Sequence, residues 1–367
     1  MHSNRLTGNK IISGQQNDAR CYMLDAERLL RLRGLAKREI SRKARLLHHV
    51  YTWFRIAGES TYVIHDYKGY APIVDTLYVR HSQRRGSGND VRATELSAGQ
   101  KARLDDFLRI QPDQSDEDLD INEPKERNAA LHDIHLEDSR DNSDTMYIQI
   151  YGIPETWLSL LSQTTRLANL IQAVNVSNHK SDMELSGALQ NRAARLENMI
   201  CSFASKTSAA AAERTPNDSM HRALNSALVI FFYRRIRNVN PWILQGHVEE
   251  VIRALQKFDE ALAQGSSGGP GIVWPAFMAG CEAMDIIKRD ALLHWIEEGG
   301  GKCGLYGFKV AKEIMMEVWK RRDDACAASS GCNKGRRTDG RKREAISQAQ
   351  CSWVDVLRER NMWLMLC

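Results

Sequence analysis

Carboxylates, imidazoles and glycines are the side chains here whose spacing invites chemistry. Asp116, Glu117, Asp118 and Asp120 form a dense acidic group, and Asp323 and Asp324 form a second. In all-helical enzymes, carboxylates along one helix hold magnesium. The first group lies in a stretch too polar to fold. The second closes a helical pattern, with no third carboxylate at the right spacing, so both read as solvated charge. His132 and His135 flank Asp133 in the same acidic stretch, without the rigid scaffold and further ligands a metal needs. His48 and His49 are neighbours, so on a helix they point apart, and each reads as a polar rim residue. The glycine-rich run Gly265 to Gly271 lacks the Gly-Lys-Ser/Thr ending of a phosphate loop and follows no strand. It reads as a turn between helices. There is no serine elbow of the G-x-S-x-G type, and no cysteine stands apart as a nucleophile. Together these readings point away from catalysis.

Three basic features remain. Arg28, Arg31, Arg33, Lys37, Arg38, Arg42, Lys43 and Arg45 read as a solvated face, since a nucleic-acid surface would interleave aromatics. Arg234, Arg235 and Arg237 precede Asn240 and Trp242 at the end of an apolar helix. Cations suit that helix end. Arg234, Arg235, Arg237, Asn240 and Trp242 are also the candidate site for an acidic partner or an effector. Lys334, Arg336, Arg337, Arg341, Lys342 and Arg343 make a candidate nuclear localisation signal.

The elements that carry these residues are helical by period. The spacing predicts helices over 18–33, 39–57, 154–174, 184–203, 218–237, 242–263, 286–298, 306–325 and 344–365, with another opened by Pro275. In the second of these, Leu46, Leu47, Val50, Phe54 and Ala57 supply the apolar face and Gly58 the stop. Residues 62–79 read as helical or irregular, and 98–110 as a short helix. Gly299 to Gly301 read as a turn. Ala276, Ala279, Gly280 and Ala283 form a narrow face suited to close helix approach. No run alternates as a strand. The fold class is all-α: antiparallel helical hairpins packed as an irregular bundle or array, with disordered acidic and basic insertions. The chain divides into an N-terminal hairpin part (1–85), an acidic insertion (86–147), a main bundle (148–326), a basic loop (327–343) and a C-terminal helix (344–367).

Composition sets the outer limits. The chain has 367 residues and a formal net charge of +5, too mild to argue for nucleic acid. Twelve acidic residues face three basic ones between Gln111 and Tyr147, and few bulky apolar residues accompany them. That makes disorder the expectation there, and an activating role a weaker one. The eight cysteines are scattered with no C-x-x-C pair, which suits a reducing compartment. The N-terminus lacks the apolar core of a signal peptide. The longest apolar run, Ala227 to Tyr233, falls far short of the roughly 20 residues that span a membrane.

Several segments carry a resemblance. They are L-D-A-E-R-L-L-R-L-R-G-L-A-K from Leu24, L-L-H-H-V-Y-T-W-F-R-I-A-G-E-S-T from Leu46 and Y-G-I-P-E-T-W-L-S-L-L-S-Q from Tyr151. Further along come F-Y-R-R-I-R-N-V-N-P-W-I-L-Q from Phe232, W-P-A-F-M-A-G-C-E-A from Trp274 and S-W-V-D-V-L-R-E-R-N-M-W-L-M-L-C from Ser352. The chain resembles the C-terminal regulatory domain of fungal Zn2Cys6 transcription factors, in particular the group that regulates arginine metabolism. The resemblance implies a nuclear regulator of RNA polymerase II transcription, whose partners are coregulators, other transcription factors and a small metabolite effector. In that family an N-terminal cluster of six cysteines binds zinc and reads DNA. No C-x2-C-x6-C run occurs here, so no cofactor and no direct DNA contact are expected of this chain. The expectation is either a start cut short or a relative without the cluster, with a complete C-terminus. A helical scaffold without a transcriptional role, and an all-α enzyme, are the rival readings.

Overall fold

The computed structural model of the protein describes residues 42–63, 150–176, 183–210, 216–265, 272–303, 306–331 and 351–366, with Tyr22, Met23, Asp25, Ala26 and Leu29. The acidic stretch, the basic run 334–343 and the segments 64–79 and 98–110 lie outside the described residues. So do most of 18–33 and the start of the expected helix 344–365. Among the described residues the protein is all-α, with no strand. The helices are α1 (Arg42–Thr61), α2 (Glu155–Val176), α3 (Met183–Ala210), α4 (Pro216–Arg235), α5 (Gln245–Ala263), α6 (Val273–Glu282), α7 (Ile286–Cys303), α8 (Tyr306–Gly331) and α9 (Trp353–Arg360), with a 3-10 turn over Pro241–Leu244. No described helix is long and apolar enough to cross a membrane.

The chain forms two compact units, one within 21–203 and one within 204–367, and their boundary falls inside α3. In the first unit α1 packs against α2, and Trp53 stacks on Tyr151 with ring centroids 5.2 Å apart. From Tyr51 to Thr61 α1 is buried on every side apart from half-buried Phe54, so the apolar face that its sequence predicts, of which Ala57 is buried, is only part of what packs. Leu46 is exposed, Leu47, Val50 and Phe54 are half-buried, and His49, Tyr51, Trp53, Arg55, Ile56 and Glu59 are buried. His49 is therefore not a rim residue. Arg55 and Glu59 are tolerated there because they enter as an ion pair with Nε and Oε1 2.7 Å apart. A buried charge needs such a counter-ion. Nor does Gly58 stop the helix. The chain continues to Thr61, and the hydroxyls of Ser60 and Thr61 donate back to the carbonyls of Ala57 and Gly58.

The second unit is built around α6, all ten of whose residues are buried. It contacts α4, α5, α7 and α8. A Cβ at Gly280 would meet Met315 Sδ at 2.7 Å, so α8 packs close on α6 there and a larger residue would have to displace the Met315 side chain. The glycines expected to form a turn at 299–301 belong instead to α7, which runs to Cys303. A Cβ at Gly299 would stand 2.6 Å from Phe308 Cε1, so that glycine admits an aromatic ring. Helix α8 likewise continues past its expected end to Gly331, which places Asp323 and Asp324 inside it.

The last helix is shorter than the spacing predicts. It begins at Trp353, where the Asp355 carboxylate accepts hydrogen bonds from the backbone N–H of Ser352 at 2.9 Å and its hydroxyl at 2.8 Å. It ends at Asn361, which takes a left-handed conformation with φ 49°. Beyond it Trp363, Leu364, Met365 and Leu366 are buried in non-helical chain.

Candidate functional site

The end of an α-helix leaves four carbonyls without partners and carries partial negative charge. At the end of α6 these carbonyls are buried, so water does not serve them. Side chains from three other helices do. Trp319 Nε1 donates to the Gly280 carbonyl at 2.8 Å and Arg322 Nη1 to that of Cys281 at 2.6 Å. Gln245 Nε2 donates to the Glu282 carbonyl at 2.8 Å and Arg289 Nε to that of Ala283 at 3.2 Å. Trp319 and Arg322 are three residues apart on α8, which puts them on one face.

The Glu282 side chain is itself 2% exposed and lies between two guanidinium groups. Arg322 Nη2 donates to its Oε2 at 3.0 Å, and Arg234 Nε stands 3.0 Å from the same oxygen as an ion pair without hydrogen-bond alignment. Oε1 accepts no hydrogen bond from the described residues. Arg322 reaches further: its Nε donates to the Cys351 carbonyl at 3.0 Å, tying the approach to α9 into the same cluster. Burial pushes the Cys281 thiol well above its usual range, and the Cys351 thiol upward, so neither is an activated nucleophile. Arg289 completes the cluster with a two-bond pair to Asp323, at 2.7 and 3.0 Å.

The candidate residues at the end of α4 have separate fates. Arg234 is turned inward, pairing with Glu282 and donating through Nη1 to the Val239 carbonyl at 2.6 Å. Arg235 lies with its guanidinium carbon 5.6 Å from the Trp353 ring centroid, and Arg237 6.0 Å from that of Phe232. Asn240 caps the 3-10 turn, its Oδ1 accepting from the Trp242 N–H at 3.0 Å. Trp242 projects outward at 63% exposed and Ile243 at 73%. The candidate localisation residues Lys334, Arg336, Arg337, Arg341, Lys342 and Arg343 lie outside the described residues, as do Asp116, Glu117, Asp118, Asp120, His132, Asp133 and His135.

Two exposed residues that the sequence reading does not single out belong to this place. Ile286 and Ile287, 65% and 74% exposed, open α7 behind Asp285, whose Oδ1 accepts from the Ile287 N–H at 2.7 Å. Gln245 connects them to the turn. Its Nε2 also donates to the Pro241 carbonyl at 2.9 Å, its Oε1 accepts from the Met284 N–H at 3.3 Å, and its own carbonyl accepts from Lys288 Nζ at 3.1 Å. An apolar pair directly after a capping aspartate is the available signal, since the cap fixes which residues follow in the exposed first turn.

Among the described residues no three His, Cys, Asp or Glu side chains converge as metal ligands. The described cysteines, Cys201, Cys281, Cys326 and Cys351, are free thiols.

The profile of the family described as "Fungal specific transcription factor domain" matches residues 6–367. "Arginine metabolism regulation protein II" of Saccharomyces cerevisiae is similar at 28% identity over 98 residues, which cover 27% of this chain and 11% of that protein. The match thus spans about a tenth of the relative's length. No solved structure matches.

Proposed function

This chain belongs to the family of fungal specific transcription factor domains, and on that premise we propose that it regulates RNA polymerase II transcription by binding coregulators or other transcription factors. Direct DNA contact lies elsewhere, in a partner or a separate module. The observation that carries this reading, beside the family match, is the outward Trp242 turn, because a rigid exposed aromatic is the usual anchor of a protein interface. The partial likeness to an arginine regulator favours arginine or nitrogen metabolism as the controlled process, with a small metabolite as effector.

Tethering tests this. The chain fused to an unrelated DNA-binding module is expected to change transcription of a matching reporter several-fold. Replacing Trp242 and Ile243 together by Ala and Asp is expected to return the reporter to baseline at unchanged protein level. A silent tethered chain sinks the regulatory reading and favours a scaffold without a transcriptional role.

The basic run supplies the route to the nucleus. With Lys334, Arg336, Arg337, Arg341, Lys342 and Arg343 replaced by Ala, a fluorescently tagged chain is expected to shift from nucleus to cytoplasm. Unchanged nuclear fluorescence assigns import to another segment.

A further inference from the structure

The chain holds eight tryptophans, and seven of them are buried while Trp242 stands outside. Its exposure is built rather than incidental. Pro241 is buried, Asn240 caps the turn, and Arg234 and Gln245 bind the carbonyls of Val239 and Pro241 on either side. The turn is therefore fixed before any partner arrives, which removes part of the ordering cost of binding. The same Gln245 holds Met284 and Lys288, which flank Ile286 and Ile287. Four large apolar side chains are thus presented around one anchored point. Monomers rarely leave such a group uncovered without a use for it.

The surrounding charge selects the occupant. Asp285 and Asp290 are exposed beside these residues, and Glu249, also exposed, is already paired. The neighbouring cations are engaged: Arg289 is buried against Asp323, and Lys288 Nζ sits on the Gln245 carbonyl, 4.0 Å from Glu249. Arg253 spans Glu249 and Glu250. A second copy of this chain docked face to face would bring these carboxylates against themselves. Like charges at an interface are costly.

We propose that Trp242, Ile243, Ile286 and Ile287 form a docking surface for a basic amphipathic segment of a partner protein, apolar along one side and rich in Lys or Arg at its flanks. This rests on the reading of the chain as a partner-binding regulatory module. The apolar side covers Trp242 and the isoleucines, and the cations meet Asp285 and Asp290.

The experiment titrates the full chain with a labelled Leu/Lys amphipathic peptide and with its Leu/Glu counterpart of equal length, reading anisotropy and acrylamide quenching of tryptophan. Trp242 is the tryptophan that acrylamide reaches most readily. The Leu/Lys peptide is expected to bind at least about tenfold tighter and to protect Trp242. Trp242→Ala and Ile287→Ser are each expected to weaken it about tenfold with an unchanged melting temperature, both side chains being exposed. Combining Asp285→Asn and Asp290→Asn is expected to reduce the preference between peptides to less than about threefold, and the amide oxygen introduced ahead of Ile286 still caps α7. Equal binding of the two peptides overturns the proposal. So does tight Leu/Lys binding indifferent to Trp242→Ala, which would place the attraction elsewhere on the chain. A dimer in sedimentation that Trp242→Ala dissociates, without peptide preference, assigns the surface to a second copy and also overturns it. A tethered chain that regulates its reporter while preferring no basic peptide leaves the regulatory function standing and removes only this partner chemistry.

Discussion

Glu282→Ala is expected to destabilise the unit within 204–367 by about 3–5 kcal/mol, the cost of removing one partner from a buried charge set. Glu282 is the carboxylate between Arg234 and Arg322, and all three are withdrawn from water. Its loss leaves two guanidinium groups facing each other across the vacated space. Arg322 keeps its bonds to the Cys281 and Cys351 carbonyls, so the helix end stays capped while the charge is unbalanced. Glu282→Gln tests the electrostatic share, because it keeps an acceptor and removes the charge. Its loss is expected to lie between wild type and Glu282→Ala. Urea denaturation followed by circular dichroism reads both. Equal stability of wild type and Glu282→Ala would show that the guanidinium groups are balanced by other means.

Trp353→Ala is expected to cost a similar amount, about 3–5 kcal/mol, for a different reason. The indole closes an aromatic group, with ring centroids 6.5 Å from Phe231 and 5.9 Å from Phe277, and it receives Arg235 on its ring. Truncation opens a cavity beside α6 and releases the α9 end from the core. Phe231 and Phe277 are fully buried and cannot turn outward to fill the space. A lowered melting temperature is expected together with faster proteolysis ahead of Ser352. A variant that melts with wild type and resists protease would mean that the residues from Trp363 to Leu366 hold the C-terminal chain without the indole.

Periodicity locates the helices of the second unit well, because α4 to α8 owe their existence to apolar residues recurring every three or four positions. It fails where burial is decided by something other than hydrophobicity. In α1 the buried residues include His49, Arg55 and Glu59 as well as Ala57, so an apolar count names only part of the packed surface. It fails again at Gly58 and Gly299. A glycine marks either a helix end or a close approach, and only the neighbour tells which; for Gly299 that neighbour is Phe308, on the next helix. The site is legible in the same uneven way. Arg234 and Trp242 stand out in sequence, one as a cation at a helix end and the other after a capped proline. Glu282 does not, although a single carboxylate at the close of an apolar run is a warning of an internal counter-ion. Its pairing with Arg234 and Arg322 depends on how three helices meet, which no local pattern records.

Gln245 has a mechanical consequence. Its one amide holds the Pro241 carbonyl, the Glu282 carbonyl and the Met284 N–H. The base of the exposed turn is thus bolted to the same peptide that carries the buried carboxylate. A force applied at Trp242 meets a strut rather than a hinge. Moving the turn outward would drag on a charge that has no water to retreat into. The surface can therefore be occupied or vacated, but it resists being reshaped. On the proposed docking role, control exerted there would run through competition among molecules for one fixed seat, and the seat itself would keep no memory of the last occupant.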